Sequence, residues 1–283
     1  MKRGVLICIA VLMLVFCACD TADNTNVDGA SIVHEAESVS SEMQKLSSEV
    51  VVEQMASEVV CEESSCLTQV EDPVYRDLIT EMLDTGKFPA GGSEWYGNPY
   101  DNYYAIADVD MDGQDELIID YPNGISMADS VCYIYDYDRT TGEPYIQCLG
   151  YPSFIIYDNG YIIEMASHNH GRSNLDDFWP YSVLKYNEQT DTYECIAHMD
   201  AWQEEYNSGN LEFPEEKDAD GDGVVYYNWT AEEWDNPSLV MDNAEYEMWY
   251  QEITEGDVIQ ITRYPIISED EYYELYPQPE ANG

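Results

Sequence analysis

Between residues 105 and 119 the chain reads Ala105-Ile106-Ala107-Asp108-Val109-Asp110-Met111-Asp112-Gly113-Gln114-Asp115-Glu116-Leu117-Ile118-Ile119. Two apolar runs flank an acidic turn, the pattern of strand, tight loop and strand. Inside the turn, carboxylates stand at loop positions 1, 3, 5 and 9, with glycine at position 6. Alternate residues of a tight loop converge on one centre, and glycine permits the sharp bend. Ca²⁺ takes six to eight oxygens at about 2.3 to 2.6 Å. The spacing therefore assigns Asp108, Asp110, Asp112 and Glu116 as side-chain ligands of Ca²⁺ and the Gln114 carbonyl as a backbone ligand. Position 12 is Ile119 rather than a bidentate Glu, so the loop is EF-hand-like without belonging to a helix-loop-helix. Four converging carboxylates with no cation would repel one another.

Outward from this loop the strand pattern continues. Short apolar runs divided by turn residues extend from Tyr103 to Trp202, among them Val131 to Tyr137, Phe154 to Tyr157, Tyr161 to Met165, Tyr181 to Tyr186 and Tyr193 to Ala197. Asp158-Asn159-Gly160 is a hairpin signal, and Asp138 to Gly142 and Asn187 to Asp191 read as longer hairpin loops. Helices bracket the strands. Asp72 and Pro73 supply an N-cap and a first helical position; Val74, Leu78, Ile79, Met82 and Leu83 share a face, and Gly86 closes the last turn. Asp242 with Glu245, and Ser268 with Glu271, have capping-box spacing. The expected fold is α+β, an antiparallel β meander with helices at its N- and C-terminal ends, in one domain over residues 72–279.

The 283 residues carry 58 Asp+Glu against 10 Lys+Arg, a net charge of −48. So few cations cannot neutralise a phosphate backbone or an anionic bilayer surface, which argues against nucleic-acid partners. Lys2 and Arg3 precede an uncharged run from Val5 to Ala18, long enough for a signal peptide and short for a spanning helix. Its end, Phe16-Cys17-Ala18-Cys19-Asp20, resembles the cleavage site of bacterial lipoprotein precursors. That resemblance implies a signal peptide over residues 1–18, lipid attachment at Cys19, anchoring in the cell membrane and an extracellular chain. An ordinary secretory signal or an uncleaved anchor would place the chain on the same side.

Residues 20 to 72 hold no Phe, Trp, Tyr or Pro, whereas all 25 tyrosines follow them. Residues 19–71 therefore read as an acidic Ser/Glu-rich stalk, too poor in large apolar groups to fold alone. Ile32, Ala36, Val39, Met43, Leu46 and Val50 form a heptad-like stripe, so the stalk is either a partly helical linker or a self-associating helix.

Asp218, Asp220, Asp222 and Gly223 repeat the first half of the acidic loop, but position 9 is Tyr226, leaving a polar turn or a second, weaker cation site. His168-Asn169-His170 with Asp176 or Asp177 is a sparse zinc candidate. Trp179, Trp202, Trp229, Trp234 and Trp249 could stack on sugars or fill the core. With the signal removed and Cys19 lipidated, Cys61, Cys66, Cys132, Cys148 and Cys195 remain, an odd number whose pairing the spacing leaves open. No G-x-S-x-G, H-E-x-x-H or C-x-x-C motif occurs.

The run D-x-D-x-D-G-x-x-E-L-x-I at 108–119 resembles the strand-loop-strand calcium loops of integrin-type (FG-GAP/VCBS) repeats, in which Glu116 would take the ninth-position role and Leu117 and Ile119 anchor the next strand. Over residues 72 to 277 the order of helix, acidic loop, Tyr-rich meander and terminal helices resembles a family of secreted lipoproteins of gut Firmicutes, which carries no established activity. The expected function is a cell-surface lipoprotein with a Ca²⁺-stabilised domain, binding an extracellular protein or glycan without catalysis. The alternative is an extracellular hydrolase acting on a polymer such as a glycan.

Overall fold

In the computed structural model, the described residues are 69–95, 97–122, 130–169, 172–176, 178–206, 212–229 and 238–276. The signal peptide, Cys19, the heptad stripe, Cys61, Cys66, His170, Asp177 and Trp234 lie outside them. No helix among the described residues is long and apolar enough to cross a membrane.

Helix α1 spans Pro73–Thr85. The Asp72 carboxylate accepts from the Val74 and Tyr75 N–H groups, and Gly86 ends the helix at φ 69°, a conformation open to glycine at little cost. Eleven strands follow: β1 Tyr103–Ala107, β2 Glu116–Tyr121, β3 Val131–Tyr137, β4 Pro144–Gly150, β5 Phe154–Ile156, β6 Tyr161–Met165, β7 Tyr181–Asn187, β8 Thr192–Gln203, β9 Val224–Asn228, β10 Ser238–Met241 and β11 Tyr264–Pro265. Helices α2, Asn243–Ile253, and α3, Glu269–Leu275, begin at the residues whose capping spacing announced them.

The fold is α+β, as the pattern predicts, but the meander divides into two antiparallel sheets. One has the order β11-β1-β2-β3-β4 and the other β10-β9-β8-β7-β6-β5. The break falls at Gly150-Tyr151-Pro152-Ser153. At Gly150 a Cβ would lie 2.6 Å from Glu164 Oε1 and 2.7 Å from the Phe154 ring, so any other residue would have to push those side chains aside where β4 meets the next sheet. Pro152 removes a backbone donor where ladder pairing stops.

Alternation along the strands sorts side chains into three layers. Leu117, Ile119, Tyr133 and Tyr135 pack beneath Tyr75, Leu78, Ile79 and Met82 of α1. Their neighbours Ile118, Cys132 and Ile134 point the other way, between the sheets, onto Phe154, Ile156, Ile162, Leu184 and Tyr193. Ile155, Ile163, Val183, Ala197 and Met199 form the outer face of the second sheet, covered by Tyr246, Tyr250 and Ile253 of α2. The molecule is thus helix, sheet, sheet, helix. Burial on both faces explains why β2, with every one of its residues buried, carries the continuous apolar run Leu117-Ile118-Ile119 rather than an alternating one. The segment before β11 is fixed by Arg263, whose guanidinium pairs with Asp120 of β2.

Candidate metal centre

The acidic loop joins β1 to β2, paired antiparallel with Ala107 opposite Glu116. Met111 and Gly113, at positions 4 and 6, adopt φ of 66° and 92°. These left-handed residues fold the chain back on itself, so that loop side chains accept from loop amides. Asp110 Oδ1 takes the Asp112 N–H at 3.0 Å, Asp108 Oδ2 the Gly113 N–H at 3.1 Å and Asp112 Oδ1 the Gln114 N–H at 2.8 Å.

Asp108, Asp110 and Glu116 come together, each with a ligand-type oxygen within 4.8 Å of the others. Glu116 is 0% exposed and Asp110 7%. The Glu116 Oε2 accepts from the Val109 N–H at 2.8 Å, whereas Oε1, like Asp108 Oδ1, is buried without a hydrogen-bond partner. Asp112 stands apart from this trio. Its second oxygen accepts from the Gln114 side-chain amide at 2.9 Å, so its carboxylate is turned onto Gln114.

Electrostatics shows what the trio lacks. Burial, with the nearby Asp110, Asp136 and Asp112 charges, pushes Glu116 up to about 9 despite the Val109 hydrogen bond. Burial also raises Asp110, against hydrogen bonds from Asp112 and Gln147. Desolvated carboxylates at this separation require either a shared proton or a cation. A hard divalent ion fits the all-oxygen donor set.

A second ring of groups holds the trio. Gln147 on β4 donates to Asp110 Oδ2 at 2.6 Å and to Asp191 Oδ1 at 3.1 Å. Asp191, in the β7–β8 hairpin, also accepts from Tyr186 at 2.7 Å and from Tyr145, which in turn reaches Asp136. Burial works against the Asp191 anion, but Tyr145, Tyr186 and Gln147 together hold its carboxyl below the ordinary value. Tyr193 of β8 donates to the Val109 carbonyl at 2.9 Å, and Tyr75 of α1 to the Asp115 carbonyl at 2.6 Å. The loop is therefore pinned to both sheets and to α1.

The second acidic loop leads into β9 and repeats the three bonds of the first, adding two more from the Gly221 and Asp222 N–H groups to Asp218 Oδ1. Gly221 and Gly223 take positions 4 and 6 with φ of 75° and 78°. Asp220 Oδ1 accepts from the Asp222 N–H at 3.1 Å, Asp218 Oδ2 from the Gly223 N–H at 3.0 Å and Asp222 Oδ1 from the Val224 N–H at 2.8 Å. Here the clustered trio is Asp218, Asp220 and Asp242. Asp222 is exposed, and its Oδ2 accepts from Asn243 Nδ2 at 2.7 Å. The sequence pattern names Asp222 and misses Asp242, the N-cap of α2. Its only sequence signal was the capping spacing with Glu245.

The remaining candidates separate. Trp202 is buried and Trp249 packs against the second sheet's outer core, while Trp179 is exposed with its ring N–H on the Ala166 carbonyl. Cys132 and Cys148 are buried free thiols. Exposed Cys195 has its Sγ 3.4 Å from His198 Nε2, a pair no motif announced, with Ser182 Oγ 2.9 Å from His198 Nδ1. Partial desolvation of the sulfur raises the Cys195 thiol above its ordinary value although the residue is exposed, the opposite of what an activated nucleophile needs. His168 Nδ1 lies 3.0 Å from Ser167 Oγ, and none of the metal-type clusters among the described residues includes it.

Comparison with known protein families, with curated proteins and with solved structures finds no match to this chain. Two acidic clusters able to hold a metal ion are what the described residues offer.

Proposed function

We propose that this chain is a cell-surface lipoprotein, anchored through Cys19 and a stalk, whose extracellular domain is stabilised by Ca²⁺ at the β1–β2 loop and serves as a non-enzymatic binding module. The observation that carries the reading is Glu116, fully buried with an unpartnered Oε1 beside Asp108 and Asp110. Asp108, Asp110 and Glu116 supply the side-chain ligands, with the Gln114 carbonyl as a backbone one. Burial suits a structural ion better than a catalytic one, because a substrate would need an open coordination position. Extracellular modules bind Ca²⁺ at about 0.1 to 1 mM, which matches millimolar calcium outside cells. A net charge of −48 favours neutral or basic partners, an extracellular protein or an uncharged glycan, over polyanions.

The test is thermal unfolding of the full chain in EDTA, in millimolar CaCl₂ and in equal MgCl₂. At ten times the dissociation constant, binding adds about 1.4 kcal/mol. For a domain of about 200 residues that is roughly 3 to 6 °C in Tm. A calcium-specific rise that shrinks in Asp110→Asn is expected. Equal responses to both ions, or a rise undiminished in Asp110→Asn, would sink the reading.

A further inference from the structure

We infer that a second Ca²⁺-class ion binds between the 218–223 loop and the first residue of the α2 cap, with Asp218, Asp220 and Asp242 as its carboxylate ligands. By sequence the loop is half a motif, because the ninth position is Tyr226, buried in the outer core against α2. The missing acid arrives from elsewhere in the fold.

Asp242 occupies the place in this loop that Glu116 occupies in the first. Asp242 is the one buried acid of its trio, 7% exposed, and Glu116 the most buried of the first, 0% exposed. Glu116 accepts the backbone N–H of loop position 2, Val109, and the Asp242 carboxylate accepts that of the same position, Ala219. Each then has one oxygen left without a partner, Oε1 of Glu116 and Oδ1 of Asp242. The unpartnered Asp242 oxygen is the independent sign of a ligand. A buried anionic oxygen with no donor is costly, and a helix N-cap ordinarily spends its side chain on the helix's own first amides. Asp242 closes a capping box with Glu245 at the start of α2 and still leaves Oδ1 without a partner, while the neighbouring Asn243 amide bridges Asp220 and Asp222 at 3.0 and 2.7 Å.

An ion here would tie the start of α2 to the loop before β9. α2 covers the outer face of the second sheet through Tyr246, Tyr250 and Ile253, and Tyr246 stacks on Tyr226 at 3.8 Å between ring centroids. Calcium at this position would therefore hold the outer layer of the molecule, as the first loop holds the junction of the two sheets.

The experiment is a calcium titration of the full chain by isothermal calorimetry, with hydrogen exchange of the α2 amides in parallel. Two ions per chain are expected, falling to one in Asp242→Asn and to one in Asp110→Asn. Asparagine caps helices as well as aspartate, so Asp242→Asn leaves α2 its cap. Asp218→Asn, which leaves the cap untouched, should give the same loss. Calcium should slow exchange over Asn243–Ile253 in Asp110→Asn and not in Asp242→Asn. Two ions retained by Asp242→Asn, or one ion in the unaltered chain that Asp110→Asn removes, overturns the inference. One ion retained by Asp110→Asn and lost in Asp242→Asn would uphold it while discarding the first loop as a site.

Discussion

The two acidic loops share a backbone. Positions 4 and 6 are left-handed in both, and three side-chain to backbone bonds recur at matching positions, within about 0.1 Å in length. They differ in how the closing carboxylate is delivered. Glu116 is the first residue of the strand leaving its loop, so the site is complete within nine consecutive residues. Asp242 comes from a helix cap and reaches its loop only when α2 has docked. A D-x-D-x-D-G turn is thus a cradle that any correctly placed buried acid can close, and the source of that acid decides what the ion would stabilise. The local one stiffens a hairpin; the distant one couples a layer.

The sharpest way to break the comparison is Glu116→Gln. The amide keeps an oxygen for the Val109 N–H and removes the buried charge. It should lower calcium affinity at the first loop by about two orders of magnitude or more, since charge count sets affinity in such sites. In EDTA the same variant should raise Tm, because an amide replaces a carboxylate that burial disfavours. Scanning calorimetry in both conditions reads the sign reversal. A variant whose calcium-dependent rise is undiminished would show that Glu116 is not a ligand.

Proton and cation compete for the same oxygens, which gives a pH test of next rank. In the calcium-free protein Glu116 titrates near 9, against an ordinary value of 4.5. Because the folded value is raised, its contribution to stability is full below about 4.5 and is lost as pH rises towards 9. Tm in EDTA should therefore fall across that window, and less steeply in Glu116→Gln than in the parent chain. With saturating calcium this loss should vanish, since the bound ion fixes the anion. Parallel pH profiles for parent and variant in EDTA would contradict the assignment.

The supporting ring sharpens the contrast further. Gln147 touches Asp110 and Asp191 and nothing in the second trio. Gln147→Ala should weaken calcium at the first loop about tenfold, the usual cost of losing a group that orients a ligand. The second ion should bind unchanged. Titration showing both affinities altered would mean that the loops are coupled through the sheets.

What the sequence disclosed follows the same division between local and distant. Asp72, Pro73 and Gly86 fix α1 because caps act over one turn, and the hairpins at 138–142, 158–160 and 187–191 lie where turn residues place them. The first trio was legible because its spacing is its geometry. Asp112 lies outside the trio, since spacing places a carboxylate near the centre but does not show that its oxygens accept from Gln114. The division into two sheets was not legible. Gly150 to Ser153 reads as one more turn, and what makes it a break is the contact of Gly150 with Glu164 and Phe154. β9, β10 and β11 went unread, because Val224-Val225-Tyr226-Tyr227 abuts an acidic turn and finds its partners in β8, more than twenty residues earlier. Asp242 was visible as a cap and invisible as a member of the acidic trio.

The smallest expected effect is the most discriminating. Spacing alone names Asp222 as the third ligand of the second loop, whereas the clustered trio replaces it with Asp242. Asp222 is exposed, takes the Val224 N–H on one oxygen and the Asn243 amide on the other, and unlike Asp242 has no buried oxygen without a partner. Asp222→Asn should keep the Val224 contact and remove only a solvent-screened charge. Such charges contribute about 0 to 1 kcal/mol, so the affinity of the second ion should change by no more than a few-fold. A loss as large as that expected for Asp242→Asn would mean that the loop binds as its sequence spacing implies, with the carboxylate leaving Asn243 for the ion. The distant acid would then be a helix cap and nothing more, and the difference between the two loops would reduce to a strong site and a weak copy of it.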